Sequence, residues 1–166
     1  RRFVDAVAGT GVAIVDTRKT TPGLRLLEKH AVRAGGGVNH RFGLDDGILV
    51  KNTHLALGGG TAATVRRVRA QAPGGLLVQV ECRSAADVEA ALEAGADAVL
   101  LDNLSVEEAA ALVRLIGGRV TIELSGGMTL ENVGAYAATG ADRISVGALT
   151  HSAPAVALHL CIEATS

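Results

Sequence analysis

The chain is nearly devoid of aromatic residues: one Tyr, two Phe and no Trp among 166 residues. Its core must therefore be Ala, Val, Leu and Ile, as in parallel barrels and doubly wound sheets. Cysteine is as scarce. Cys82 and Cys161 stand far apart without metal-ligand spacing, which argues against a disulfide framework or a zinc site. Cys82, directly after Glu81, reads as a small packing residue rather than a nucleophile. No apolar run approaches the ~20 residues of a membrane span. Charge of one sign is not in excess either. A formal net charge of −1 gives no whole-chain basic field, so nucleic acid is not favoured as a partner and any anion site must come from local clustering. There is no initiator Met, and Arg1 to Ala8 reads as the last turns of an amphipathic helix closed by Gly9 or Gly11, so a fragment or a processed form is expected. Arg1-Arg2 before Phe3-Val4 is a faint match to a twin-arginine leader, but Asp5 and Asp16 break the apolar stretch. No targeting signal is read, and a cytoplasmic location is expected.

What is present suits one domain over residues 1–166. Hydrophobic residues make up 48% and charged residues 20%, which excludes disorder on composition. Strand and helix signals alternate. Val12-Ala13-Ile14-Val15 has the β-branched content of a buried strand, and Gly23 to Ala34 reads as a helix ended by Gly35-Gly36-Gly37. Ile48 to Lys51 is the second strand, followed by a polar Asn52-Thr53-His54 and a flexible Gly58-Gly59-Gly60. Thr61 is expected to cap a helix running through Val68. Further strands fall at Leu76–Glu81, Val99–Leu101, Thr121–Leu124 and Ile144–Val146. Ser84 with Asp87, and Ser105 with Glu108, carry the spacing of capping boxes. A weak repeat supports this reading: Gly95-Ala96-Asp97 and Gly140-Ala141-Asp142 each precede a buried strand. Repeated β-helix-β units force right-handed parallel connections, which leaves a barrel or an open doubly wound sheet. No Gly-x-Gly-x-x-Gly turn follows the first strand, against a dinucleotide fold. A full barrel takes about 250 residues, so the expected fold is α/β, an incomplete parallel (β/α) barrel of about six strands.

Charge collects at the ends of these strands. The first runs into Arg18-Lys19, the second ends in Lys51, the third in Glu81 and the fourth in Asp102. Cations at the end of a buried strand are costly unless something anionic meets them. Arg18, Lys19, His40, Arg41 and Lys51 form the basic set. They are read either as a ligand site or as ion pairs with Glu81 and Asp102 across the barrel mouth. Because the cations outnumber those acids, an anionic ligand is still wanted. Glu81 and Asp102 suit ribose hydroxyls, Mg²⁺ or both. Ser125-Gly126-Gly127 and Gly147-Ala148 follow the last two strands, where glycines let backbone N–H groups approach a phosphate. Plain tight turns are the alternative. His30 and His159 are expected at the surface.

Asp16-Thr17-Arg18-Lys19-Thr20-Thr21-Pro22-Gly23, Asn39-His40-Arg41 with Gly43-Leu44, Leu101-Asp102-Asn103, Glu123-Leu124-Ser125-Gly126-Gly127 and Val146-Gly147-Ala148-Leu149-Thr150-His151 together resemble the quinolinate phosphoribosyltransferases. These are also called nicotinate-nucleotide pyrophosphorylases (carboxylating). The match runs in order over nearly the whole chain. The resemblance implies that quinolinate and phosphoribosyl pyrophosphate give nicotinate mononucleotide, pyrophosphate and CO₂, with Mg²⁺. It implies that Arg18, His40 and Arg41 bind the quinolinate carboxylates and that Lys19 and Lys51 meet the pyrophosphate, with Lys51 close to the reacting pair. It places Glu81 and Asp102 on the ribose hydroxyls and the metal, and Ser125, Gly126, Gly127 and Gly147 on the 5′-phosphate. Lys51, Glu81 and Asp102 are thereby the catalytic candidates. The family shows Lys-Asp-Asn-His after the second strand, where this chain has Lys51-Asn52-Thr53-His54. The family also carries an N-terminal domain that this chain lacks, which closes the site across a homodimer or higher homo-oligomer and lends an arginine to the neighbour. The rival readings are a Schiff-base aldolase using Lys51, a non-catalytic phosphosugar-binding barrel, and a phosphoribosyltransferase acting on a different acid.

Overall fold

The computed structural model describes residues 1–163. A short helix α1 (Arg2–Ala6) leads into β1 (Ala13–Val15), α2 (Arg25–Ala34) and β2 (Ile48–Val50). Two helices follow, α3 (Asn52–Gly58) and α4 (Thr61–Gln71). Then come β3 (Val78–Cys82), α5 (Ala85–Glu93), β4 (Ala98–Asp102), α6 (Val106–Ile116), β5 (Thr121–Ser125), α7 (Val133–Ala137), β6 (Arg143–Ser145) and α8 (Ala148–His151). The six strands form one sheet in the order β1-β6-β5-β4-β3-β2, with every pairing parallel. The first two strands of the chain thus stand at opposite edges. Among the described residues they do not pair with each other, and a single parallel bridge from Val15 to Val38 extends the sheet beyond β1. This is the incomplete barrel expected from the sequence.

Period-two alternation divides each strand between two environments. Val78, Val80 and Cys82 of β3, Val99 and Leu101 of β4, Ile122 and Leu124 of β5, and Ile144 of β6 enter one hydrophobic core. The helices supply Val88, Ala91, Ala109, Leu112, Ile116, Val133 and Ala137 to it. Each such buried aliphatic side chain stabilises the fold by roughly 1.5–3 kcal/mol, less for alanine. Burial pushes the Cys82 thiol up to about 12, so it packs and does not react. The opposite phase carries Gln79 and Glu81, Leu100 and Asp102, Glu123 and Ser125, and Ser145. That face is mostly polar, and it forms the floor and walls of a cavity.

The Gly-Ala-Asp repeat has a structural reason. Gly95 (φ 87°) and Gly140 (φ 88°) end the preceding helical turns in the left-handed region. Each aspartate then docks on the start of a neighbouring strand. Asp97 accepts the Val78 N–H at 2.7 Å and donates its own N–H to the Val78 carbonyl at 2.9 Å. Asp142 does the same with Ile122, at 2.7 and 3.0 Å.

Several local expectations change. Asn52-Thr53-His54, read from sequence only as a polar stretch after the second strand, is the first turn of α3. Weak helix formers hide it, and the turn is closed by His54 donating its N–H to the Lys51 carbonyl (2.8 Å) while its Nδ1 accepts the Lys51 N–H (2.9 Å). Gly59 then ends α3 at φ 83° and Gly60 opens α4, so two of the three glycines in the expected flexible run have fixed cap positions. Gly60, not Thr61, is the N-cap. The Thr61 hydroxyl instead donates to Asp87 at 3.1 Å. Helix α4 continues to Gln71, past Val68. Ser105 and Glu108 form the reciprocal box, whereas at α5 only Ser84 caps, accepting the Asp87 N–H at 3.1 Å. The first helix after β1 starts at Arg25 rather than Gly23, and the last strand spans Arg143–Ser145.

Candidate active site

The C-terminal ends of all six strands open into one cavity of about 480 Å³. Arg18, Lys19, His40, Arg41, Lys51, Glu81, Asp102, Ser125, Gly126, Gly127 and Gly147 all line it, so every residue singled out from sequence is brought together. Because β1 and β2 lie at opposite edges of the sheet yet both contribute, the sheet curves enough for the two edges to face the same space. His30 and His159 are exposed and lie outside it.

The cations sit on one side. Arg18 and Arg41 each have a buried Nε without a hydrogen-bond partner among the described residues. Burial and the neighbouring Arg18 charge push the Arg41 pKa down, against the opposing pull of Asp46 and Glu123. Two buried guanidinium donors that lack partners favour an anion beside them.

What holds these cations is a second layer that the sequence reading missed. Lys29 of α2 is 3% exposed in its side chain and Asp16, at the end of β1, is 0% exposed. The Lys29 ammonium donates to Asp16 Oδ1 at 2.5 Å and to the carbonyls of His40 and Arg41, both at 2.8 Å. Asp16 also accepts from Asn39 Nδ2 (2.6 Å) and the His40 N–H (2.8 Å). One turn earlier on the same helical face, Arg25 donates to Thr20 Oγ1, the Phe42 carbonyl and the Arg18 carbonyl at 3.0–3.1 Å. Helix α2 therefore fixes both basic loops through their backbones. The available signal was Asp16 itself, an acid at the end of a buried strand that requires a cation.

His40 is held from below. Its Nδ1 accepts the Arg41 N–H at 2.6 Å, which places the ring proton on Nε2, and Nε2 donates to Glu123 at 2.9 Å. Both ring nitrogens are engaged within the chain, so a ligand carboxylate meets His40 by displacing one of these bonds. Glu123 is 2% exposed and also accepts from Gln79 Nε2 at 3.0 Å. Burial pushes its carboxyl up, but the hydrogen bonds from His40, Gln79 and Ser145 outweigh that and hold it below its ordinary 4.5. A depressed folded value makes this stabilisation complete above about pH 4.5, and it fades as pH falls through the folded value. The stability difference between wild type and Glu123→Gln is expected to be largest near neutral pH and to shrink on acidification. Urea unfolding at stepped pH checks this, and a constant difference would count against it.

The acidic side holds Glu81 and Asp102. The expected structural ion pairs with the basic set are not found among the described residues. Arg83 bridges the two acids instead, its Nη2 lying 3.2 Å from Glu81 Oε1 and 3.4 Å from Asp102 Oδ2. No group of three or more His, Cys, Asp or Glu side chains is placed to hold a metal among the described residues. A divalent cation at this pair would take substrate oxygens as further ligands. Hard oxygen donors and an open cavity fit Mg²⁺ on those terms.

The glycine-rich turns complete the mouth. Gly126 has φ 101°, and a Cβ there would meet Asn103 Oδ1 at 2.3 Å and the Asn103 backbone nitrogen at 2.8 Å. Asn103 is itself left-handed (φ 56°) and donates its N–H to the Ser125 carbonyl at 2.9 Å, so the loops after β4 and β5 touch backbone to backbone. Gly126→Ala adds left-handed strain to a clash with backbone, and is expected to cost about 2–4 kcal/mol, read as a lowered urea midpoint. At the last loop, Thr150 Oγ1 donates to the Lys19 carbonyl at 2.7 Å, tying α8 to the first basic loop.

Fold and site first define a class: a (β/α)-barrel domain with its charged groups and glycine turns gathered at the C-terminal mouth of the strands. Within that class the chain belongs to the quinolinate phosphoribosyltransferase family. The family described as "Quinolinate phosphoribosyl transferase, C-terminal domain" matches residues 1–161. The chain is similar to a nicotinate-nucleotide pyrophosphorylase (carboxylating) of Mycobacterium leprae (strain TN), 48% identical over 153 residues covering 90% of this chain and 54% of that protein. The Homo sapiens protein of that name is 42% identical over 158 residues, covering 92% of this chain and 53% of its own length. In three dimensions the chain resembles NadC from Streptococcus pyogenes, with TM-score 0.86 and 43% identity over 91% of this chain and 53% of that one. The chain thus spans about half the length of the relatives it matches.

Proposed function

We propose that this chain carries the catalytic barrel of a quinolinate phosphoribosyltransferase, joining quinolinate to phosphoribosyl pyrophosphate with loss of pyrophosphate and CO₂ to give nicotinate mononucleotide in NAD biosynthesis. The observation that supports it most is the division of one cavity into a cationic side at β1 and β2, an acidic side at β3 and β4, and a glycine-rich side at β5 and β6. Arg18 and Arg41 bind the two pyridine carboxylates, with His40 in the same wall. Lys19 and Lys51 meet the pyrophosphate, and Ser125, Gly126, Gly127 and Gly147 surround the 5′-phosphate. Glu81 and Asp102 hold the ribose hydroxyls and Mg²⁺, which when bound neutralises pyrophosphate charge.

The chemistry follows from this division. The pyridine nitrogen forms a bond to the anomeric carbon as its bond to the pyrophosphate oxygen breaks. The sugar centre turns cationic on the way, and Glu81 and Asp102 stabilise it. The lysines stabilise the negative charge of the departing pyrophosphate. The nitrogen then carries positive charge and accepts the electron pair released when the adjacent carboxylate leaves as CO₂. A proton replaces CO₂ at that carbon. The whole protein is proposed to act as a homodimer or higher homo-oligomer in the cytoplasm.

The test is to supply quinolinate, phosphoribosyl pyrophosphate and Mg²⁺ and to follow nicotinate mononucleotide and CO₂. Product above background supports the reading. Binding of nicotinate mononucleotide without CO₂ release from any pyridine carboxylate would favour a phosphosugar-binding barrel instead.

A further inference from the structure

Arg83 lies where the proposed reaction needs a different cation. It follows Glu81 by two residues, just past the end of β3, and its guanidinium reaches back to the acids. A single nitrogen, Nη2, contacts both Glu81 and Asp102. Asp102 Oδ2 also accepts from Asn103 Nδ2 at 2.7 Å. The Arg83 side chain is 52% exposed and no other side chain accepts a hydrogen bond from its guanidinium among the described residues, so it is free to leave. There is a place for it to go. Arg83 lines a neighbouring cavity of about 520 Å³ with Asn52, Gly60, Thr61 and Asp87, and Glu81 is common to that cavity and the main one.

We propose that Arg83 is a built-in counter-ion of the Glu81–Asp102 pair. It neutralises the pair, competes with the divalent cation for it, and moves into the neighbouring cavity when the cation binds. The inference rests on the proposed function for the identity of the ligand, but not for the competition itself. One mobile guanidinium shared between two carboxylates lowers their negative potential and so weakens any cation there. An exposed pair of this kind is worth little to folding, so removing it leaves the fold intact.

The experiment measures Mn²⁺ binding to the full chain by calorimetry, with Mn²⁺ alone as the probe. Arg83→Gln is expected to bind Mn²⁺ about three- to tenfold more tightly than wild type. Arg83→Lys keeps the charge and is expected to stay within about twofold. Adding Asp102→Asn to Arg83→Gln should abolish the gain. Equal or weaker binding by Arg83→Gln, or an equal gain in Arg83→Lys, would overturn the proposal. A second titration with nicotinate mononucleotide separates the two readings. If the Mn²⁺ effect is present but no form binds the nucleotide, the proposed function fails and the role of Arg83 stands.

Discussion

Lys29→Met is expected to destabilise the chain by about 3–5 kcal/mol, lowering the thermal midpoint by roughly 6–20 degrees. The ammonium is buried at 3% exposure and makes three hydrogen bonds, so methionine leaves Asp16 as an uncompensated buried carboxylate and orphans the His40 and Arg41 carbonyls. Asp16→Asn alone is expected to do similar harm from the other side. The double variant Asp16→Asn/Lys29→Met should recover part of the loss, because removing both charges avoids the unpaired one. Thermal and urea unfolding of the three variants form a double-mutant cycle. Additive losses, with no recovery in the double, would mean that the two charges are not coupled as their contact implies.

On the proposed function, Arg18→Gln is expected to lower kcat/KM for quinolinate about 10- to 10⁴-fold, with little change in stability. The estimate takes one or two charge-assisted hydrogen bonds to a carboxylate at about 1.5–3 kcal/mol each. Its guanidinium has a buried Nε without a partner, so the side chain gives little to the fold that glutamine would forfeit. Arg18→Lys should recover little, since a point charge does not reproduce the planar fork. Quinolinate binding by the full chain, measured directly, decides the assignment. Unchanged affinity in Arg18→Gln would remove this residue from the acid-binding wall.

The strands and the membership of the cavity were legible in the sequence for one reason. In a parallel sheet buried on its outer face, β-branched runs mark the strands, and the residue after each run lands at the mouth. Lys51, Glu81 and Asp102 could thus be placed without coordinates. Glu123 was harder. It sits inside the strand between Ile122 and Leu124, and only the alternation between faces sends it into the cavity rather than the core. Lys29 and Arg83 were illegible in a different way. A sequence shows that Asp16 needs a cation and that Glu81 and Asp102 repel each other, but the choice among many arginines and lysines is made by packing across the fold. Helix α3 was lost because its stability comes from a reciprocal cap and from Leu55 in the core, not from helix propensity.

The position of β1 at the far edge of the sheet has a consequence for how the molecule is made. Ala13 pairs with Arg143 and Val15 with Ser145, so β1 finds its ladder partner only after β2 to β5 have been made. The pairings from β2 to β5 join strands that emerge in succession and need no such wait. Until β6 has been made, β1 and its Arg18-Lys19 loop lack that partner and stay exposed to others. Seating that strand against β6 closes the longest loop among the pairings, and it also brings Arg18 and Lys19 opposite the acids. A nascent chain halted before residue 143 would hold Lys51, Glu81 and Asp102 on paired strands but would lack the ladder that sets Arg18 and Lys19 across from them.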